Sequence, residues 1–179
     1  KYALVVGTEK ITSLLDWTDR NTCVLFGDGA GAMIVGSSDT AGILSSTIGS
    51  DGSYKDLLTV NTGLEYIEMK GSDVFKTAVN TLGKLAKHTL ELNNLEHGQL
   101  DWLVPHQANE RIILAIAKKI SLSHDKIIIT VNKHGNTSAA SIPLAFDDAN
   151  TKNIFKSGDY IMMEAFGAGF TWGSILLRF

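Results

Sequence analysis

Trp102-Leu103-Val104-Pro105-His106-Gln107-Ala108-Asn109 passes from apolar residues, through a proline, into a polar cluster. A helical period follows at once, with Ile112, Ile113, Ile116 and Ile120 on one face. The stretch reads as a strand that stops and a helix that starts, with His106 at the junction. In α/β sheets ligands bind at the carboxyl ends of strands, so this junction is a natural place for chemistry. A second junction lies about thirty residues on. Lys126-Ile127-Ile128-Ile129-Thr130-Val131 has the β-branched composition of a strand. It runs into Lys133-His134-Gly135-Asn136-Thr137-Ser138-Ala139-Ala140-Ser141, and residues 137–150 then read as a helix opened by small residues.

Working outward, Val74, Phe75, Ala78, Val79, Leu82, Leu85, Ala86 and Leu90 form an apolar helical face, with Ser72 or Asp73 as the candidate N-cap. Tyr160 to Ala165 and Trp172 to Leu177 read as a closing strand pair around Gly167-Ala168-Gly169. The order after residue 70 is α-β-α-β-α-β-β, which predicts a layered α/β fold with a mainly parallel sheet. Before it, residues 2–7 read as a fully buried strand and residues 42–50 as another. Thr22-Cys23-Val24-Leu25-Phe26 reads as a strand interrupted by Gly27-Asp28-Gly29-Ala30-Gly31 and resuming through Val35. Glycines inside a strand imply a bulge or a close backbone approach. Residues 54–65 read as loop and Tyr66 to Met69 as a short strand.

Composition bounds the function. The 179 residues carry a net charge of −3 with ordinary apolar and charged content, which argues for a globular domain and against a general nucleic-acid binder. No apolar run approaches the roughly 20 residues of a membrane helix. The single cysteine, Cys23, rules out an internal disulfide framework and fits a reducing compartment. The chain opens inside a strand without an initiator Met, with no visible signal peptide. It is expected to be a fragment with further residues N-terminal to Lys1.

Each candidate residue has a bland reading beside the sharp one. The His106 imidazole can donate to a developing enolate or exchange protons near neutral pH, or it can be a satisfied core histidine. The carboxamide of Asn136 is a neutral donor suited to an oxyanion, and equally a helix N-cap. Gly167-Ala168-Gly169 offers backbone N–H groups for an oxyanion hole, or simply a tight turn. Phe166 is a pocket wall or core. Asn109 can orient a ligand one turn after His106. Arg111, Lys118 and Lys119 share roughly one helix face and, with Lys76, form either a solvated surface or a dock for an acidic partner. The glycine cluster at 27–31 lacks the spacing and following helix of a dinucleotide fingerprint. Cys23 reads as an inert buried thiol. His134 reads as structural, His88, His97 and His124 as solvated, and no metal-ligand spacing is present. Asn136-Thr137-Ser138 is a glycosylation sequon, discounted for want of a secretory signal.

Together these motifs resemble the β-ketoacyl-acyl-carrier-protein synthase III family. The likeness covers essentially the whole chain. It includes Thr18-Asp19-Arg20, Gly27 through Ala32, Asp51-Gly52-Ser53-Tyr54, Gly71 through Lys76, and the segments around His106, Asn136 and Ala168. The resemblance implies the thiolase fold, an α-β-α-β-α sandwich of two similar halves. Residues 1–38 would be the last two strands of the N-terminal half and 39–179 the complete C-terminal half. It implies a Cys-His-Asn catalytic set, with His106 and Asn136 as two members. The nucleophilic cysteine would lie N-terminal to Lys1, so the isolated chain is expected to be inactive. It further implies an oxyanion hole at the Ala168 backbone, a pantetheine channel lined by Gly71, Phe75, Ala108 and Asn109, and carrier-protein contacts at Lys76, Arg111, Lys118 and Lys119. Ala168 departs from a turn that often reads Gly-Gly-Gly. The implied reaction joins an acyl-CoA, with acetyl-CoA as the expected starter, to malonyl-acyl-carrier-protein. CoA and carrier-protein thioesters would be substrates, with no cofactor and no metal. A cytoplasmic homodimer completed by the N-terminal half is expected. The alternatives are a secondary-metabolite ketosynthase with another starter, or a non-catalytic fragment that only binds a partner. Elongating synthases carry two histidines, and Asn136 speaks against them.

Overall fold

The computed structural model describes residues 1–40, 42–60 and 65–179, with the side chain of His97 outside that description. The reading of 54–65 as loop and of His97 as solvated therefore lies partly outside the described residues. Strands β1 (Tyr2–Glu9) and β2 (Gly29–Gly36) pair antiparallel as a two-stranded ribbon. Strand β3 (Ile43–Ser50) comes next, followed by the short pair β4 (Leu58–Thr59) and β5 (Glu68–Met69). Helix α1 (Gly71–Leu92), strand β6 (Trp102–Pro105) and helix α2 (Glu110–Lys119) follow. Then come α3 (Val131–His134), α4 (Ser141–Thr151), β7 (Tyr160–Gly167) and β8 (Thr171–Arg178).

The main sheet has the order β3-β8-β7-β6. It is mixed rather than mainly parallel: β6 and β7 run parallel, while β8 is antiparallel to both β7 and β3. The tight turn after β7 forces the antiparallel pairing, because only a longer crossover can return a strand in the same direction. Helices α1 and α2 cover one face through Leu82, Leu85, Ile112, Ile116 and Met162. Helix α4 and Phe155 cover the other through Ala145, Ala149, Ile161 and Met163. The ribbon lies outside α4, where Met33 packs against this second cluster. The layers within this chain are therefore helix, sheet, helix, sheet.

The ribbon meets α4 closely because its glycines allow it. A Cβ on Gly7 would stand 2.2 Å from the carbonyl oxygen of Ala139, and one on Gly31 would stand 2.6 Å from Cβ of Pro143. The close approach expected for the glycine-rich segment is what the structure shows.

Several local readings are corrected. Thr22 to Phe26 is not a strand. The Asp19 carbonyl accepts from Thr22 and Cys23, and its carboxylate accepts from Asn21 N–H and Thr22 Oγ1, so a turn wins over β propensity. Cys23 is accordingly half-buried in a turn, not inside a strand. Residues 2–6 form a strand, but an exposed one. Residues 126–131 keep only a parallel bridge between Ile127 and Leu103. Beyond it the backbone turns to the side chain of Gln107 instead of a ladder. Helix α1 begins at Gly71, ahead of the expected cap, with Asp73 in its first turn where the helix dipole favours an acid.

Candidate active site

His106 follows β6 directly. Its backbone N–H donates to the Glu164 carbonyl at 2.7 Å, which continues the parallel ladder one residue past the strand. Helix α2 then starts with Asn109, whose side chain accepts from Arg111 N–H at 2.9 Å as an N-cap. The imidazole is half-buried, with Nδ1 2.6 Å from Ser141 Oγ and its ring edge-on to Phe166 at 5.8 Å. Burial lowers its pKa to about 4, so the ring is neutral at pH 7.

Asn136 is held from both sides. Its backbone N–H donates to Leu25 O at 2.8 Å and its carbonyl accepts from Gly27 N–H at 3.0 Å, making a parallel bridge at Phe26. A Cβ on Gly27 would stand 2.3 Å from the His134 carbonyl oxygen, so this clamp requires glycine there. Gly135 adopts φ 68° and ψ −163°, a region open essentially to glycine alone. The Asn136 Oδ1 accepts from Ser138 N–H at 2.9 Å. That commits the oxygen and leaves the NH₂ end as the donor available to a ligand.

Both motifs reach one cleft of about 920 Å³, lined also by Phe166, Gly167 and Ala168. The turn carrying Ala168 is pinned by reciprocal backbone bonds between Phe170 and Asp51 at 2.7 and 2.8 Å. Gly71, Phe75, Ala108 and Asn109 line the same cleft, as do Lys76 and Arg111. The Arg111 guanidinium sits 5.6 Å over the Phe75 ring, a cation–π contact that fixes it beside that wall. Lys118 and Lys119 do not reach the cleft. Lys119 donates to Asn80 Oδ1 at 2.7 Å and leans across Gly83, farther along the α1–α2 surface.

Three residues escaped sequence reasoning. Gln107 is fully buried and uses its whole carboxamide: Nε2 donates to Pro105 O and Ile128 O, and Oε1 accepts from Thr130 and Val131 N–H. It ties the His106 segment to the segment leading into Asn136. Its place beside His106 was the available signal. Ser141 touches His106 from 35 residues away, and no sequence pattern announces that contact. Glu164 is buried in β7 with neither carboxyl oxygen bonded to any described residue. Burial raises its pKa to about 8, so it is mostly protonated at pH 7. A lone acid within an otherwise apolar strand was the signal for it. Among the described residues no group of His, Cys, Asp and Glu could hold a metal ion, and no helix is long and apolar enough to cross a membrane.

A mixed sheet lies between helical layers, with an imidazole and a carboxamide converging beside a glycine-rich turn. Comparison with known proteins identifies this arrangement as a thiolase-like fold. The family description "3-Oxoacyl-[acyl-carrier-protein (ACP)] synthase III C terminal" matches residues 90–179, and that of the synthase III family proper matches residues 1–52. The chain belongs to the 3-oxoacyl-[acyl-carrier-protein] synthase III family. A β-ketoacyl-[acyl-carrier-protein] synthase III of Thioalkalivibrio sulfidiphilus is 54% identical over 100% of this chain and 59% of its own length. The crystal structure of the Aquifex aeolicus synthase III superposes with a TM-score of 0.97 at 43% identity, covering 100% of this chain and 58% of that one. The Pseudomonas aeruginosa synthase III gives a TM-score of 0.93 at 38% identity, covering 99% of this chain and 58% of that one. This chain thus spans a little under three fifths of the relatives it matches.

Proposed function

We propose that the full-length protein containing this chain catalyses a decarboxylative Claisen condensation. An acyl-CoA, acetyl-CoA first among them, would acylate a cysteine thiolate and release CoA. Malonyl-acyl-carrier-protein would then lose CO₂, and the electron pair left behind would delocalise as an enolate onto the thioester oxygen. That carbanion would attack the acyl-cysteine carbonyl and expel the thiolate, leaving 3-oxoacyl-carrier-protein. The observation that carries this reading is the convergence of His106 and Asn136 on one cleft.

Both groups suit the enolate. A neutral imidazole and a carboxamide donate hydrogen bonds without giving up a proton, and preorganised donors of this kind act most strongly where charge develops. The backbone at Ala168 would stabilise the tetrahedral oxyanion during acyl transfer and condensation. Gly71, Phe75, Ala108 and Asn109 would line the pantetheine arm, and Phe166 would wall the reacting end. Arg111 and Lys76 at the cleft, with Lys118 and Lys119 beyond it, would receive the acidic carrier protein. The reading calls for no cofactor and no metal, and for a cytoplasmic homodimer in which N-terminal residues supply the nucleophile. Cys23, the one cysteine of these 179 residues, sits in the 19–25 turn and is not assigned that role. The isolated chain is accordingly expected not to condense substrates.

The test is His106→Ala in the full-length protein. Loss of one oxyanion donor should lower malonyl decarboxylation about 10²- to 10³-fold while acyl transfer to cysteine persists. Undiminished condensation in that variant would remove the reading.

A further inference from the structure

A neutral imidazole has two ring nitrogens and one proton, and the nitrogen that holds it decides whether the ring offers a ligand a donor or an acceptor. In His106 the question is settled by the partner of Nδ1. Ser141 Oγ stands 2.6 Å from that nitrogen, and the same oxygen accepts the backbone N–H of Gln107 at 3.3 Å. Ser141 is 2% exposed at the start of α4, and its hydroxyl has no third partner among the described residues. A hydroxyl carries one proton and two acceptor lone pairs. With a lone pair turned to Gln107 N–H, the proton has one acceptor in reach, Nδ1. The opposite arrangement would point two donors at one buried oxygen and strand the hydroxyl proton without an acceptor, which a buried polar group tolerates poorly.

We propose that Ser141 is a positioning residue: its hydroxyl donates to Nδ1 of His106 and so holds the imidazole as the tautomer that carries its proton on Nε2. Asn136 is treated in the same way by the same segment. Ser138 N–H occupies its Oδ1, leaving the amide NH₂ as the free end. The stretch Ser138 to Ser141 therefore sets the polarity of both side chains, presenting N–H groups where an anion would sit. Burial that keeps the ring neutral at pH 7 is consistent with this, because a doubly protonated ring could not accept at Nδ1. The catalytic consequence rests on the function proposed above; the tautomer does not. The opposite tautomer would aim a lone pair at the enolate oxygen and repel it.

The experiment is a long-range ¹H–¹⁵N correlation spectrum of the full-length protein containing this chain, uniformly ¹⁵N-labelled, at pH 7.5. The His106 signals are assigned by their disappearance in His106→Gln. The expected wild-type pattern is an unprotonated, hydrogen-bonded Nδ1 and a protonated Nε2. Ser141→Ala should lose that pattern and populate the other tautomer, and Ser141→Thr, which keeps the hydroxyl, should restore it. A wild-type ring protonated at Nδ1, or a folded Ser141→Ala variant with an unchanged ring, would overturn the proposal. The wild-type spectrum decides even where a variant does not fold. In the full-length protein Ser141→Ala should lower malonyl decarboxylation on the order of 10-fold, less than outright loss of the donor. Failure of the wild-type full-length protein to decarboxylate malonyl thioesters would count against the reaction, while the ring spectrum would still judge the tautomer.

Discussion

Strands β1 and β7 have the same length and similar composition, yet they end in opposite environments. Tyr2-Ala3-Leu4-Val5-Val6-Gly7-Thr8-Glu9 leaves Leu4 68% and Val6 55% exposed. In β7 the run Ile161, Met162, Met163, Glu164 is buried throughout. The cause is what each strand has beside it. β7 has a neighbour on each edge and a helical layer on each face. Among the described residues β1 pairs only with β2, and it meets the 138–140 turn at Gly7. Apolar sequence makes a strand able to be buried; neighbours decide whether it is. Ionisable groups follow the same rule. Asp28, beside the ribbon, is held below the usual carboxylate range by hydrogen bonds from Thr12, backbone first. Glu164, with no such partner, is driven up by burial.

The contrast can be broken at several points. The largest effect is expected at Glu164. The folded carboxyl keeps its proton up to about pH 8, whereas an unfolded one releases it near 4.5. The folded state thus binds more protons across that window, so the contribution is full below pH 4.5 and lost as pH rises through 8, on the order of 5 kcal/mol in all. Urea titrations from pH 5 to 9 should show this decline in the wild type and a flattened profile in Glu164→Gln. His106 acts with the opposite sign. Its contribution is present above pH 6.5 and lost as pH falls towards 4, and His106→Gln should remove that acid-side loss from the same titrations.

Next in size is Met162→Ala, which should cost about 2–5 kcal/mol in urea because the side chain is enclosed between sheet and helices. The one buried point of the ribbon comes after it. Gly7→Ala places a methyl against the Ala139 carbonyl and should cost about 1–3 kcal/mol through backbone displacement. The smallest change belongs to Leu4→Ser, expected within about 0.5 kcal/mol in this chain. A large loss there would show that the ribbon face is covered in solution.

Much of the site was legible because junctions have a chemical signature. Pro105-His106 and Gly135-Asn136 each stand where apolar residues give way to polar ones, and the structure brings both to one cleft. The basic residues were legible only as a group. Lys76 and Arg111 reach the cleft while Lys118 and Lys119, about two turns farther along α2, continue along the helix surface, a separation set by distance along the helix axis rather than by which face they share. The failed strand at 126–131 has a comparable cause. β-branched residues suit a ladder, but the Gln107 carboxamide supplies the bonds a neighbouring strand would have made.

What the sequence determined by itself was local and periodic: two amphipathic helices, the closing strand pair, and the residue types at two strand ends. Those follow from propensity, hydrophobic period and backbone restriction, which act within a few residues. Tertiary structure alone decided the sheet order, the exposure of β1, the burial of Glu164 and the contact of Ser141 with His106. These depend on groups distant in sequence meeting in a region without water. There a single lone pair or proton has one available partner, and the partner fixes its state.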